Sequence, residues 1–192
     1  MTRTALRLAA LALAAQPLGA CAMTTASPAA PARNPIVGGA AMYATRNIVE
    51  NAAESADHTT LVAAVKAAGL ADTLAGAGPF TVFAPTNAAF AKLPAGTVAT
   101  LLRPENMDSL RSVLTYHVVP GRVTAAQLVQ MIRAGGGTAR LTTVQGGVLT
   151  AQLMGGRVML TDARGGVAHV TQTDVMQSNG VIHVTDGVSI PG

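Results

Sequence analysis

The sequence predicts an α+β domain, and two observations carry that prediction. In the first half, apolar residues recur at helical spacing; after Gly135-Gly136-Gly137 the period drops to two. In the second half, short runs rich in Val, Leu and Thr are divided by QGG, GGR, ARGG and SNG, the pattern of antiparallel strands joined by glycine turns. A helical half followed by a strand-rich half packs helices on one side or end of a sheet.

The elements follow in chain order. Residues 46–56 place Ile48, Val49, Ala52, Ala53 and Ala56 on one helical side, with Arg46, Glu50, Glu54 and Asp57 on a solvated side. A second helix starts at Thr59 or Thr60, either of which can cap it, and runs through LVAAVKAA to Gly69. LADTLA forms a short third segment before a GAG turn. In TVFAPTNAAF, residues 81–90, Pro85 cannot donate to a ladder and ends a strand. Thr86 or Asn87 then caps a helix from Ala88, and Phe83, Phe90 and Leu93 seat that helix on the sheet. Two more helices are expected at 95–102 and 105–114, with Pro104 tolerated at a first helical position. Residues 116–119 read as a short strand closed by Pro120-Gly121, and 124–133 as a helix capped by Thr124. Strands are expected at 139–144, 148–154, 158–161, 167–171, 174–177 and 181–185. The Asn179-Gly180 pair reads as a two-residue hairpin turn with both residues at positive φ.

The N-terminus reads as a processing segment. Arg3 and Arg7 flank LRLAALALAA, too short for a transmembrane helix, and small residues follow; residues 1–20 are expected to be a signal peptide. Leu18-Gly19-Ala20-Cys21 resembles the lipobox of bacterial lipoproteins, so Cys21 is expected to be lipidated and to anchor the chain in a membrane. As the single cysteine, it excludes an intramolecular disulfide or a Cys-based zinc cage. Residues 21–40, rich in Ala, Pro, Thr and Ser, read as a flexible tether, and 41–192 as one folded domain. Without residues 1–20 the chain carries 11 basic and 9 acidic residues, from totals of 13 and 9, with no basic run and no Trp. That argues against a nucleic-acid partner.

A screen for chemistry returns little. G-x-S-x-G, H-E-x-x-H, C-x-x-C, Walker and EF-hand patterns are absent, and the glycine clusters join strands rather than open helices. His58 stands beside Asp57 at a helix start, while His117, His169 and His183 lie in apolar, strand-like runs, the usual setting of a buried imidazole bonded to backbone. No catalytic, cofactor-binding or metal-binding residue is assigned, and an enzyme is not expected.

TVFAPTNAAF, LTYHVVPG at 114–121 and NGVIHVTDGVSIP at 179–191 resemble, in order, the three signature segments of the fasciclin domain. The likeness runs from about Asn47 to Pro191. It implies a wedge-like β-sandwich with helices packed along it and the first and last motifs on adjacent central strands. It also implies a non-catalytic extracytoplasmic module that adheres to a cell-surface or matrix component, a protein or a glycan. The alternative it implies is a carrier of an apolar ligand such as a carotenoid or lipid. Animal members recognise integrins through an aspartate-containing stretch before the last motif. Thr173-Asp174-Val175-Met176 is similar, although Gln172-Thr173 replaces the usual acid-proline start. Asp174 is therefore a candidate partner-binding residue, and so are Tyr116 and His117, a pair implicated in adhesion in some relatives; the plainer reading of that pair is hydrogen-bonded support of the neighbouring motif. The protein is expected to be an envelope-anchored monomer, in the outer membrane or facing the periplasm.

Overall fold

A computed structural model describes residues 34–192 and has the α+β class read from the sequence. The signal peptide, Cys21 and most of the tether lie outside the described residues. The ordered fold begins before residue 41. Strands β1 (Ile36–Val37) and β2 (Ala40–Ala41) pair around Gly38-Gly39, both at positive φ, and bury Val37 beside Met42.

Helix α1 (Ile48–Glu54) opens on a reciprocal cap, in which the Asn47 side chain accepts the Glu50 N–H and the Glu50 carboxylate accepts the Asn47 N–H. A 3₁₀ turn at Ala56–His58 feeds α2 (Thr59–Ala67), so neither Thr59 nor Thr60 is its cap. After α3 (Ala71–Ala75), strand β3 (Phe80–Pro85) ends at Pro85, and Thr86 caps α4 (Asn87–Ala91) by accepting the Ala89 N–H at 3.2 Å. Helix α5 (Thr97–Leu101) and a 3₁₀ turn starting at Pro104 lead into α6 (Met107–Tyr116).

The strand expected at 116–119 is corrected here. Tyr116 is the last residue of α6, His117 caps it, and β4 is only Val118–Pro120. The two valines make the run look extended, but the buried helical face Leu110, Val113, Leu114 continues to His117, four residues beyond Val113. Helix α7 (Ala125–Ala134) is capped by Thr124 in a second reciprocal box with Gln127.

Strands β5 (Thr138–Thr142), β6 (Val148–Met154), β7 (Arg157–Thr161), β8 (Val167–Gln177) and β9 (Gly180–Thr185) form an antiparallel meander. Two expectations change. The runs at 167–171 and 174–177 are one strand, β8, whose register against β9 shifts twice between Val170 and Val175. The hairpin loop is Ser178-Asn179, since Gln177 pairs with Gly180, and neither Asn179 nor Gly180 has positive φ. Gly180 is needed for another reason: a Cβ there would overlap the Phe80 carbonyl of the adjoining strand.

The strand order is β4-β3-β9-β8-β7-β6-β5, antiparallel except for the parallel pair β3–β9 that joins the first and last motifs. The seven strands form one wedge-shaped sheet that turns through the long strand β8, and the Val144 N–H donates to Val118 O at 2.8 Å to bridge its two edges. Two cores flank the central strands. Val82, Ala84, Ile182 and Val184 face the helices α1, α2 and α6, while Phe83 faces α7 and the inner side of the meander. Burial on both faces is why β3 and β9 read as continuous apolar runs.

Candidate functional site

Two of the three described candidates, Tyr116 and His117, are buried, and the third, Asp174, is half-buried; all are tied into the scaffold. Tyr116 is fully buried; its hydroxyl donates to Val148 O at 2.7 Å and accepts the Ala163 N–H at 3.1 Å. A Cβ on Gly147 would lie 2.7 Å from the Tyr116 ring, so β6 can follow its turn only with glycine there. Burial pushes the Tyr116 phenol above its ordinary pKa.

His117 is buried with both ring nitrogens engaged. Nδ1 donates to Val113 O at 2.7 Å, and Nε2 accepts the Ser189 N–H at 3.0 Å, so the imidazole is neutral and its tautomer is set by its partners. Burial holds its pKa below 6.5. The residue ties the end of α6 to the segment after β9.

Asp174 sits at the β8 irregularity with φ 57°, the one non-glycine residue at positive φ among those described. Its Oδ1 accepts the Ala125 N–H at 2.7 Å, so the carboxylate closes the first turn of α7. Beside it, His183 donates through Nε2 to Val123 O at 2.9 Å and stacks on Phe83 with ring centres 5.5 Å apart. Burial lowers the His183 pKa as well. Asp174 and the Tyr116-His117 pair are not brought together as one surface patch; each braces a separate junction.

Sequence reading missed three further braces. Asp162, also buried, accepts the N–H groups of Arg164 and Gly166 through Oδ1 and that of Ile190 through Oδ2 at 2.8 Å, pinning the β7–β8 turn to the C-terminal segment. Asn179, read as a turn residue, accepts the Ile48 N–H and donates to Leu74 O and Gly76 O. Asn51 bonds Tyr43 and Gln177. An aspartate before glycines and an asparagine in a turn were visible in sequence, but their distant partners were not.

Among the described residues no three His, Cys, Asp or Glu side chains come together. An apolar cavity of about 30 Å³ lies between α1, α2, α6 and the β3–β4 edge, lined by Ile48, Leu61, Val65, Leu74 and Leu114. That is water-sized, far below the space a drug-sized ligand occupies.

Larger clefts of about 450–580 Å³ open at the surface, one between Leu93, Leu101, Val188 and Ile190 and one between Pro79, Arg122 and Asn179, and the outward face of the meander is open as well. Alternation turns Leu141, Leu149, Leu160 and Ala168 inward under Leu128 and Ile132 of α7. The other side therefore carries Arg140, Thr150, Thr161 and Val167 as one cross-strand row.

The Fasciclin domain model matches residues 56–191. Protein sll1483 of Synechocystis is 48% identical over 159 residues, 83% of this chain and 81% of that protein. The cell surface glycolipoprotein MPB83 of Mycobacterium bovis is 37% identical over 128 residues, 57% of each chain. Among solved structures, a FAS1 domain pair from the insect cell adhesion molecule Fasciclin I superposes with a TM-score of 0.66 at 20% identity, covering 74% of this chain and 50% of that one. The fold, the three motifs in order and the match over most of the described residues together make this chain a member of the fasciclin domain family.

Proposed function

We propose that the protein is a non-catalytic adhesion module of a bacterial envelope, held to a membrane through lipidated Cys21 and binding a surface or matrix component. One observation carries this reading: the polar side chains Tyr116, His117 and His183 of the signature motifs are consumed by internal hydrogen bonds, as is Asp174, so none is free to act on a substrate. The lipobox-like LGAC and the likeness to a cell surface glycolipoprotein support export and anchoring. Several acyl chains hold a protein at a bilayer stably, whereas one alone is marginal.

The full lipidated chain, extracted from membranes and reconstituted in vesicles, tests both parts. Its intact mass should show loss of residues 1–20 and a diacylglyceryl addition on Cys21. The vesicles should bind isolated envelope or matrix material above protein-free vesicles. An unmodified mature chain would overturn the anchor, and binding no better than bare vesicles would overturn adhesion.

A further inference from the structure

Charge is divided unevenly between the two halves of the fold. Residues 34–108 carry six acidic and four basic side chains, a net of −2, while residues 109–192 carry six arginines and three aspartates, a net of +3. Such asymmetry within a nearly neutral chain points to a partner of opposite sign on the basic side. Two of the six arginines, Arg140 on β5 and Arg157 on β7, are exposed on the outward meander face. Neither makes an ion pair among the described residues. Asp186, beyond the end of β9 and beside His169, is already occupied by Lys92 at 3.3 Å and by the His169 N–H at 2.7 Å.

We propose that this face, centred on Arg140, Thr150, Gln152, Arg157 and Thr161, binds a linear carboxylated polysaccharide. This inference rests on the adhesion reading and names the partner's chemistry. Arg140 pairs across to Thr150, and Thr150 to Thr161, so side-chain donors recur at the strand spacing of about 4.8 Å. A flat repeating array fits a repeating polymer, and two free guanidinium groups supply the bidentate donors that carboxylates take. The face carries no Phe, Tyr or Trp. That disfavours neutral sugars, which are commonly held by ring stacking.

The test uses the full chain, with immobilised polygalacturonate as the acidic probe and dextran as the neutral one. The wild type should be retained on polygalacturonate at low salt, be released as salt rises, and ignore dextran. Arg140→Glu with Arg157→Glu should weaken retention by about tenfold or more, while Arg103→Glu on the helical side should change nothing; thermal unfolding checks that each variant is folded. Absence of retention, or retention indifferent to the double substitution, would overturn the proposal. So would binding confined to anionic phosphatidylglycerol vesicles, which would make the partner a membrane, or low-salt self-association abolished by the double variant, which would make it a second copy. If envelope binding survives the double substitution, adhesion stands and this face is not its site.

Discussion

On the helical side of the central strands, α3, α4 and α5 are five residues each, and the packing relies on small side chains such as Ala64, Ala68 and Ala84. Apolar voids of about 30 and 10 Å³ remain there, both touching Ala52. On the meander side, Leu149, Ala151 and Leu160 are fully buried under Leu128 and Ile132, in strands whose registers run without a shift from β5 to β8. Helices this short cannot hold themselves, so that layer depends on polar ties: Asn51 to Gln177 and Asn179 to Leu74 and Gly76 join it to the sheet, and Asn87 to Ala56 joins α4 to the turn before α2. The meander strands are specified chiefly by alternation and by their glycine turns. The difference teaches that one side is packed to a pattern and the other is laced to it, with Tyr116, His117 and His183 at the seam.

The largest expected loss breaks the tight side. Phe83→Ala should cost about 3–5 kcal/mol in chemical denaturation, against about 2 kcal/mol for Leu61→Ala, which borders an existing void. Equal losses would erase the contrast in packing. Gly180→Val should cost about 3 kcal/mol, because the Phe80 carbonyl it would strike belongs to a central strand that cannot move aside. An unchanged melting point would mean β3 and β9 do not approach as described.

At the seam, His117→Ala leaves the Val113 carbonyl and the Ser189 N–H without their partner and should cost about 1–3 kcal/mol, with partner binding per folded molecule unchanged. A stable His117→Ala that no longer binds would return Tyr116-His117 to the binding surface. The smallest effect has the opposite sign. Ala52→Met should fill part of the helical-side voids and raise stability by about 0.5–1 kcal/mol; a loss would mean those voids are already closed in solution.

The same contrast decides what could be read from sequence. Meander strands were legible because alternation and glycine turns are local signals, and the caps Thr86 and Thr124 were legible because a cap acts within three residues. The end of α6 was misread because the strand-forming Val118 and Val119 follow directly on Tyr116 and His117, which still belong to the helix and its cap. The β8 irregularity went unseen because its cause is a distant one: Asp174 leaves the ladder to meet Ala125, 49 residues away. Gly180 was correctly marked as irreplaceable, but for turn geometry instead of the carbonyl of a strand 100 residues earlier. The candidate residues were legible as a group; that they brace the seam and leave the outer face free required their partners.

The central claim is that the buried histidines are neutral parts of the scaffold, and the pH dependence of the unfolding free energy tests it most directly. His58, His117 and His183 each have a pKa held below 6.5 by burial. Above 6.5 both folded and unfolded chains keep these rings neutral, and they add no slope. Below it the unfolded chain takes protons that the folded one refuses, so stability falls with pH until the folded values are reached. Denaturation between about pH 7.5 and 5.5 should therefore show stability dropping with the uptake of more than one proton, each worth about 1.4 kcal/mol per pH unit. A flat profile over that range would place the imidazoles in solvent and contradict the account.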